Sequence, residues 1–164
     1  MTFSAIGPPL VSATGTAVAA SLPWMQSVAL QAALPQLHVA ALAAFGLNLV
    51  TVRLPGRIDG YQQEATSTDI SKSRRNEINQ VTAYLSKSLV APAGWAFAIW
   101  GPIYLGETAL MLSQFQLAAL KAILPVVAAP WLAANLFQAL WCASFRPQFT
   151  GAAKFVSAGM LGGV

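Results

Sequence analysis

The chain has 164 residues, of which 56% are hydrophobic and 9% are charged, and its formal net charge is +4. Soluble domains carry about 25% charged residues, so this composition favours a multi-pass membrane protein over an ordinary soluble domain. Six of the nine basic residues lie between residues 53 and 87. A positive-inside bias explains this clustering better than nucleic-acid binding does. The single cysteine, Cys142, excludes an internal disulfide and a cysteine-based metal cage.

Residues 1–36 contain no ionisable side chain. They lack the basic region of a secretory signal and the arginines of a transit peptide. The prolines and small residues of this segment predict an uncharged, extended N-terminal arm with a short apolar piece. Residues 24–34 are alternatively a short surface helix, although one without the basic face of a lipid-surface helix. A remnant of a processed targeting region is the other alternative. Trp24 is expected to lie at the membrane interface, where tryptophan is enriched.

A first spanning helix is predicted over residues 37–54, followed by Pro55-Gly56. His38 lies near its start and Asn48 lies at mid-helix. His38 is interpreted as an interfacial histidine or, alternatively, as a ligand to a metal or to the magnesium of a chlorophyll. Residues 55–88 form the polar segment, which is predicted to be a solvated loop or, alternatively, a lid or a partner-binding surface.

A second spanning helix is predicted over residues 89–113, where Glu107 is the only charged residue. Pro102 is expected to kink this helix, because neighbouring groups in lipid can satisfy the carbonyl that a proline frees. Steps of three and four place one set of side chains on a single face. That set is Phe97, Trp100, Tyr104, Glu107 and Met111. The face is interpreted as aromatic packing or as a ligand surface, and Glu107 is expected to face protein, ligand or water rather than lipid.

A third spanning helix is predicted over residues 122–145, with a bend caused by Pro125 and Pro130. Steps of four and three give it one face with Trp131, Asn135, Gln138, Cys142 and Phe145. Asn135 and Gln138 are expected to hydrogen-bond to neighbouring helices or, alternatively, to line a ligand pocket. Residues 151–164 begin a fourth helix that is too short to span about 30 Å, so we expect the natural polypeptide to continue past Val164.

The segment from Pro92 to Tyr104 reads Pro-Ala-Gly-Trp-Ala-Phe-Ala-Ile-Trp-Gly-Pro-Ile-Tyr. It closely resembles the second-helix signature of the TspO/MBR family, and is most similar to the branch called tryptophan-rich sensory proteins. The spacing from Phe97 to Trp100 is one residue shorter than in porphyrin-binding members and is similar to that branch. Residues 135–141 resemble the family's third-helix element, with Gln138 where the family has asparagine. The resemblance covers about residues 37–164.

The resemblance implies an all-α membrane protein, a multi-pass bundle of the TspO-like five-helix fold that is incomplete in this chain. Residues 1–36 would be an uncharged arm and residues 37–164 the TspO-like transmembrane domain. Known members of the family bind porphyrins and other tetrapyrroles, and sterols in animals. The expected ligand-binding residues are Trp95, Phe97, Trp100, Tyr104, Glu107, Trp131, Asn135, Gln138 and Trp141.

Catalysis is disfavoured, because the chain has no Gly-rich phosphate loop, no histidine pair at metal-binding spacing, and one carboxylate in a span. The first functional hypothesis is a non-enzymatic protein that binds a flat apolar ligand such as a tetrapyrrole. The alternative is a structural or accessory subunit of a larger membrane assembly, for example a photosystem–antenna supercomplex. There it would contact chlorophylls and carotenoids, with His38 or Glu107 as possible magnesium ligands. A bound carotenoid or lipid is a further expectation.

Membrane lipids and other membrane subunits are the expected partners, and nucleic acid is not. The expected location is a plastid thylakoid, a mitochondrial membrane or a bacterial inner membrane. The basic residues predict that the 55–88 loop faces the cytoplasm, stroma or matrix, with the N-terminus on the opposite side.

Overall fold

The computed structural model describes residues 7–54, 57, 71, 75–76, 78, 98–147, 149 and 151–164. Within these residues all regular structure is helical, in agreement with an all-α membrane protein. The helices are α1 Pro8–Gln31, α2 Leu34–Val52, α3 Trp100–Ser113, α4 Ala118–Ser144 and α5 Lys154–Gly162, the last preceded by a 3₁₀ turn at Gly151–Ala153. Two of them, α2 and α4, are long and apolar enough to cross a membrane.

The predicted spans agree with the helices in part. The first span, 37–54, corresponds to α2, which starts earlier because Pro35 is accommodated in its first turn. The third span, 122–145, corresponds to α4, and Pro125 and Pro130 lie inside this helix as expected. The bend that they should cause stays a prediction.

The second span, 89–113, corresponds to α3 from Trp100 onward, and its first part, 89–97, lies outside the described residues. Pro102 is the third residue of α3, so within the bounds Trp100–Ser113 its missing N–H interrupts no helical hydrogen bond. Because residues 89–97 lie outside the described residues, the kink expected at Pro102 stays a prediction.

The N-terminal segment differs most from expectation. In place of an extended arm, residues 8–31 form a 24-residue helix. Pro8 and Pro9 begin this helix, where the absent N–H groups are not needed, and Pro23 lies inside it. The helix buries Val11, Gly15 and Ala29, and it packs along α4. Packing therefore stabilises a helix that its local sequence does not indicate.

Helix α4 is the centre of the bundle and packs against α1, α2 and α5. Val11, near the start of α1, clusters with Trp141, near the end of α4. Ala29, near the end of α1, clusters with Leu124, near the start of α4. Helix α1 is therefore antiparallel to α4 along most of its length. Helix α2 runs parallel to α4, because Leu37, near the start of α2, also joins the cluster of Leu124, near the start of α4.

This arrangement disagrees with the prediction that the N-terminus and the 55–88 loop lie on opposite sides of the membrane. Val11 and Trp141 share one cluster, and the guanidinium carbon of Arg57 lies 5.0 Å from the centre of the Trp141 ring. The start of α1 therefore lies at the same end of the bundle as Arg57, which comes five residues after the end of α2, and not at the opposite end. Which side of the membrane this end faces stays a prediction.

Candidate functional site

A buried polar network joins α2, α3 and α4. Asn48 of α2 donates from Nδ2 to Oδ1 of Asn135 at 3.1 Å and to Oε1 of Gln138 at 2.9 Å, both on α4. Gln138 in turn donates from Nε2 to the hydroxyl oxygen of Tyr104 on α3 at 2.9 Å. Asn48, Asn135 and Gln138 are each at most 2% exposed. Asn135 and Gln138 thus make the interhelical hydrogen bonds that were expected of them.

Aromatic rings flank this network on both sides. Toward the end that carries Arg57, the rings of Trp100 and Trp141 lie 5.5 Å apart and those of Trp141 and Phe145 are stacked at 5.1 Å. Toward the other end, Phe45 and Trp131 lie 6.4 Å apart. Because Trp100 meets Trp141, α3 is antiparallel to α4, as the short connection between them predicts.

A small apolar cluster lies beside the network and is formed by α2, α3 and α4. Its buried members are Ala41, Phe45 and Met111, and Leu49, Tyr104 and Trp131 pack against it. Tyr104 and Met111 both reach this cluster from α3. Glu107 lies between them on the same face of that helix, so its side chain points to the same region.

Three polar atoms in this region are buried and have no hydrogen-bond partner among the described residues. They are Oε2 of Glu107, Nε1 of Trp131 and Oδ1 of Asn48. A buried polar group without a partner costs about 1–3 kcal/mol. The region therefore combines aromatic surfaces with unused hydrogen-bond donors and acceptors, the composition expected of a small-molecule site. We call it the α2–α4 site.

Arg57 closes the end of the bundle above Trp141. It is 6% exposed, and its Nη1 donates to the backbone oxygen of Val52 at 3.1 Å and to Sγ of Cys142 at 3.5 Å. The guanidinium over the Trp141 ring has the geometry of a cation–π contact. A buried positive charge therefore lies near the Trp100–Trp141 pair.

His38 lies away from this site, at the opposite end of α2. Its ring is 4.7 Å from that of Phe115, and its Nε2 is buried without a hydrogen-bond partner among the described residues. Within the same described ranges, no group of three or more His, Cys, Asp or Glu side chains is placed to hold a metal ion. Neither His38 nor Glu107 therefore belongs to a multi-residue metal centre there.

Most of the predicted ligand-binding residues meet in or beside the α2–α4 site. They are Trp100, Tyr104, Glu107, Trp131, Asn135, Gln138 and Trp141, whereas Trp95 and Phe97 lie outside the described residues. Where a ligand was expected between α3 and α4, Trp100 contacts Trp141 and Tyr104 contacts Gln138 directly. Sequence reasoning noted Asn48 without giving it a role and missed Phe45 and Arg57. A lone amide in an apolar helix was the available signal for Asn48.

The comparisons with known proteins give one match. A family model described as TSPO-like protein matches residues 65–163, which include α3, α4 and α5 and leave α1 and α2 outside. No curated protein and no solved structure matches the chain.

Proposed function

The chain belongs to the TSPO-like family, and on that basis we propose that it is a non-enzymatic membrane protein that binds a flat apolar ligand at the α2–α4 site. A tetrapyrrole is the ligand class that the family resemblance favours. Membership in the tryptophan-rich branch, and a location in a plastid, mitochondrial or bacterial inner membrane, are parts of the same proposal.

The observation that carries the proposal is the set of unpartnered atoms at the site. A carboxyl oxygen of Glu107, the indole N–H of Trp131 and the amide oxygen of Asn48 are buried without a partner among the described residues. The adjacent apolar cluster contains the rings of Phe45, Tyr104 and Trp131. A flat ligand with N–H donors and carbonyl or carboxylate acceptors would satisfy these atoms while its faces stack on the rings. Packing alone gives no reason to keep a carboxyl group there, because an apolar side chain would avoid the cost.

Ligand entry requires α3 to move away from α4, since their side chains are in contact. Helix α3 is suited to this movement because Met111 is its only buried residue, whereas α4 has ten. Few buried contacts mean that a small free-energy cost separates the closed arrangement from an open one. We therefore assign the role of gate to α3.

The test is a titration of the purified full chain in detergent with protoporphyrin IX, followed by tryptophan fluorescence. Glu107→Leu removes the polar atoms of the side chain and should raise Kd by about 5- to 150-fold, the equivalent of a 1–3 kcal/mol hydrogen-bond loss. The same change should leave the melting temperature unchanged or raise it, because it removes an unpartnered buried group. Thr108→Val is the matched control, since Thr108 is exposed and its hydroxyl donates to its own helix.

Two results would contradict the proposal. One is equal protoporphyrin affinity in the Glu107→Leu and parent proteins. The other is a lower melting temperature in Glu107→Leu, which would assign Glu107 to packing rather than to ligand binding.

His38 supports the second candidate, an accessory subunit in a pigment-containing membrane assembly. Its unpartnered Nε2 is the type of atom that ligates the magnesium of a chlorophyll. However, this nitrogen is covered by protein atoms, so a chlorophyll would reach it only after the neighbouring side chains moved. The absorption spectrum of the native protein decides this point: co-purifying chlorophyll that His38→Leu abolishes would favour the accessory subunit over the ligand-binding protein.

A further inference from the structure

We propose that α1 crosses the membrane as a lipid-facing helix of the bundle. The family match does not reach this helix, and α1 is not one of the two helices that satisfy the length and apolarity criteria for a span. The proposal therefore rests on the charge, length, internal hydrogen bonds and packing of α1 itself, together with the membrane character of the family.

The length and charge of α1 suit a bilayer. Its 24 residues extend for about 36 Å at 1.5 Å per residue, and the hydrocarbon core is about 30 Å thick. No ionisable side chain lies in α1 or in the connection to α2. An amphipathic helix on a membrane surface would carry a charged face, which α1 lacks.

Four of the five hydroxyl groups in α1 donate back to their own helix. Thr14 donates to the carbonyl of Leu10 at 2.8 Å, Thr16 to that of Ser12 at 3.0 Å, and Ser27 to that of Trp24 at 2.7 Å. All three side chains are exposed in the isolated chain. These hydroxyls therefore need no water, and the interior Pro23 is also tolerated better in a membrane helix than in a soluble one.

Packing places α1 beside α4, a helix that is itself apolar enough to span. Gln26, near the end of α1, donates from Nε2 to the carbonyl of Pro125 at 3.2 Å, and Val11, near its start, clusters with Trp141. Because α1 follows α4 from one end to the other, a membrane that encloses α4 also encloses α1.

The outer surface of α1 carries exposed apolar side chains, as the outer surfaces of α2 and α4 do. Leu10, Trp24 and Val28 point outward with exposures of 57%, 67% and 46%. Val39 on α2 and Val126 on α4 are similarly exposed, at 67% and 59%. Hydrocarbon chains are the occupant that fits this surface, since most of its exposed side chains are apolar or internally hydrogen-bonded, and its exposed glutamine, Gln31, is the last residue of α1.

Cysteine labelling in sealed, oriented vesicles with a membrane-impermeant maleimide tests the proposal. The parent protein is the background, because its one cysteine, Cys142, is 1% exposed. Gly7→Cys and Leu10→Cys report the start of α1, and Gln31→Cys and Leu30→Cys report its end. Arg53→Cys and Gln116→Cys are reference sites at the two ends of the bundle.

We expect the start of α1 to be labelled from the same side as Arg53→Cys, and its end from the same side as Gln116→Cys. Ala17→Cys, which is exposed at mid-helix, should react from neither side until detergent is added. Labelling of both ends of α1 from one side, or labelling of Ala17→Cys in intact vesicles, would overturn the proposal. Neither outcome depends on whether the protein binds a tetrapyrrole.

Discussion

Asn48 links the three helices around the candidate site. One amide nitrogen serves two acceptors on α4, and Gln138 extends the network to Tyr104 on α3. Hydrogen bonds between membrane helices contribute about 0.6–2 kcal/mol each. This residue therefore sets the register of α2 against α4.

Replacement of Asn48 by leucine is expected to destabilise the protein by about 1–3 kcal/mol, because Asn135 and Gln138 each lose a donor. The measurement is unfolding in mixed micelles, monitored by helical circular dichroism. Thr51→Ala is the control, since the Thr51 hydroxyl donates only to its own helix, at the carbonyl of Asn48. Equal stability of both variants and the parent would show that the network contributes nothing.

At this scale the sequence predicted faces but not partners. The three- and four-residue steps along α4 place Asn135, Gln138 and Cys142 inward, as the structure has them. The step pattern contains no information about which helix lies opposite, so the pairing with Asn48 was not predictable. Arg57 was assigned to a solvated loop because its charge suggested water, whereas the Trp141 ring and a backbone carbonyl hold it in the bundle.

Among the helices, α5 is followed by Gly163, whose backbone lies close to Phe137 of α4. A Cβ on Gly163 would lie 2.7 Å from Cγ of Phe137 and within 2.8 Å of both Cδ atoms of its ring. A Cβ on Gly159, one turn earlier, would meet nothing within 4 Å, so of these two glycines only Gly163 makes a close approach.

Gly163→Ala should destabilise the packing of α5 on α4 by about 1–3 kcal/mol, because the added methyl group would force the Phe137 ring out of its present position. Gly159→Ala should be neutral or stabilising by up to about 1 kcal/mol, since it lies in open space within a helix. Limited proteolysis near residue 151 measures the release of α5. Equal cleavage rates in the two variants would refute the assigned contact.

Helix α1 is the element that sequence reasoning missed. Pro23, Gly15 and several hydroxyl side chains lie inside Pro8–Gln31, and residues of these types have low helix propensity. The compensation comes from Phe137, Trp141 and Met160, which lie more than 100 residues away in sequence and form a cluster with Val11. The sequence of residues 8–31 alone therefore gives no indication of the contacts that stabilise this helix.

For the whole molecule, four basic residues of the described ranges lie at one end of the bundle. Arg53 ends α2, Arg57 lies over Trp141, Arg146 follows α4 and Lys154 begins α5. The opposite end has Lys121 near the start of α4. Composition and charge alone predicted the membrane class, because apolar helices with basic residues collected at one end are typical of membrane proteins. They did not predict the path of α1, whose start lies at this basic end.

The central claim is that aromatic rings and unpartnered polar atoms between α2, α3 and α4 hold a flat ligand. Its most direct test is the equilibrium Kd of protoporphyrin IX for the parent chain, for Trp131→Phe, and for Trp24→Phe. Trp131→Phe keeps an aromatic ring and removes the buried N–H, while Trp24→Phe changes a tryptophan that is 67% exposed on α1. We predict saturable binding by the parent, a Kd raised by about 5- to 150-fold in Trp131→Phe, and an unchanged Kd in Trp24→Phe. Absence of saturable binding, or an equal loss of affinity in both variants, would contradict the account.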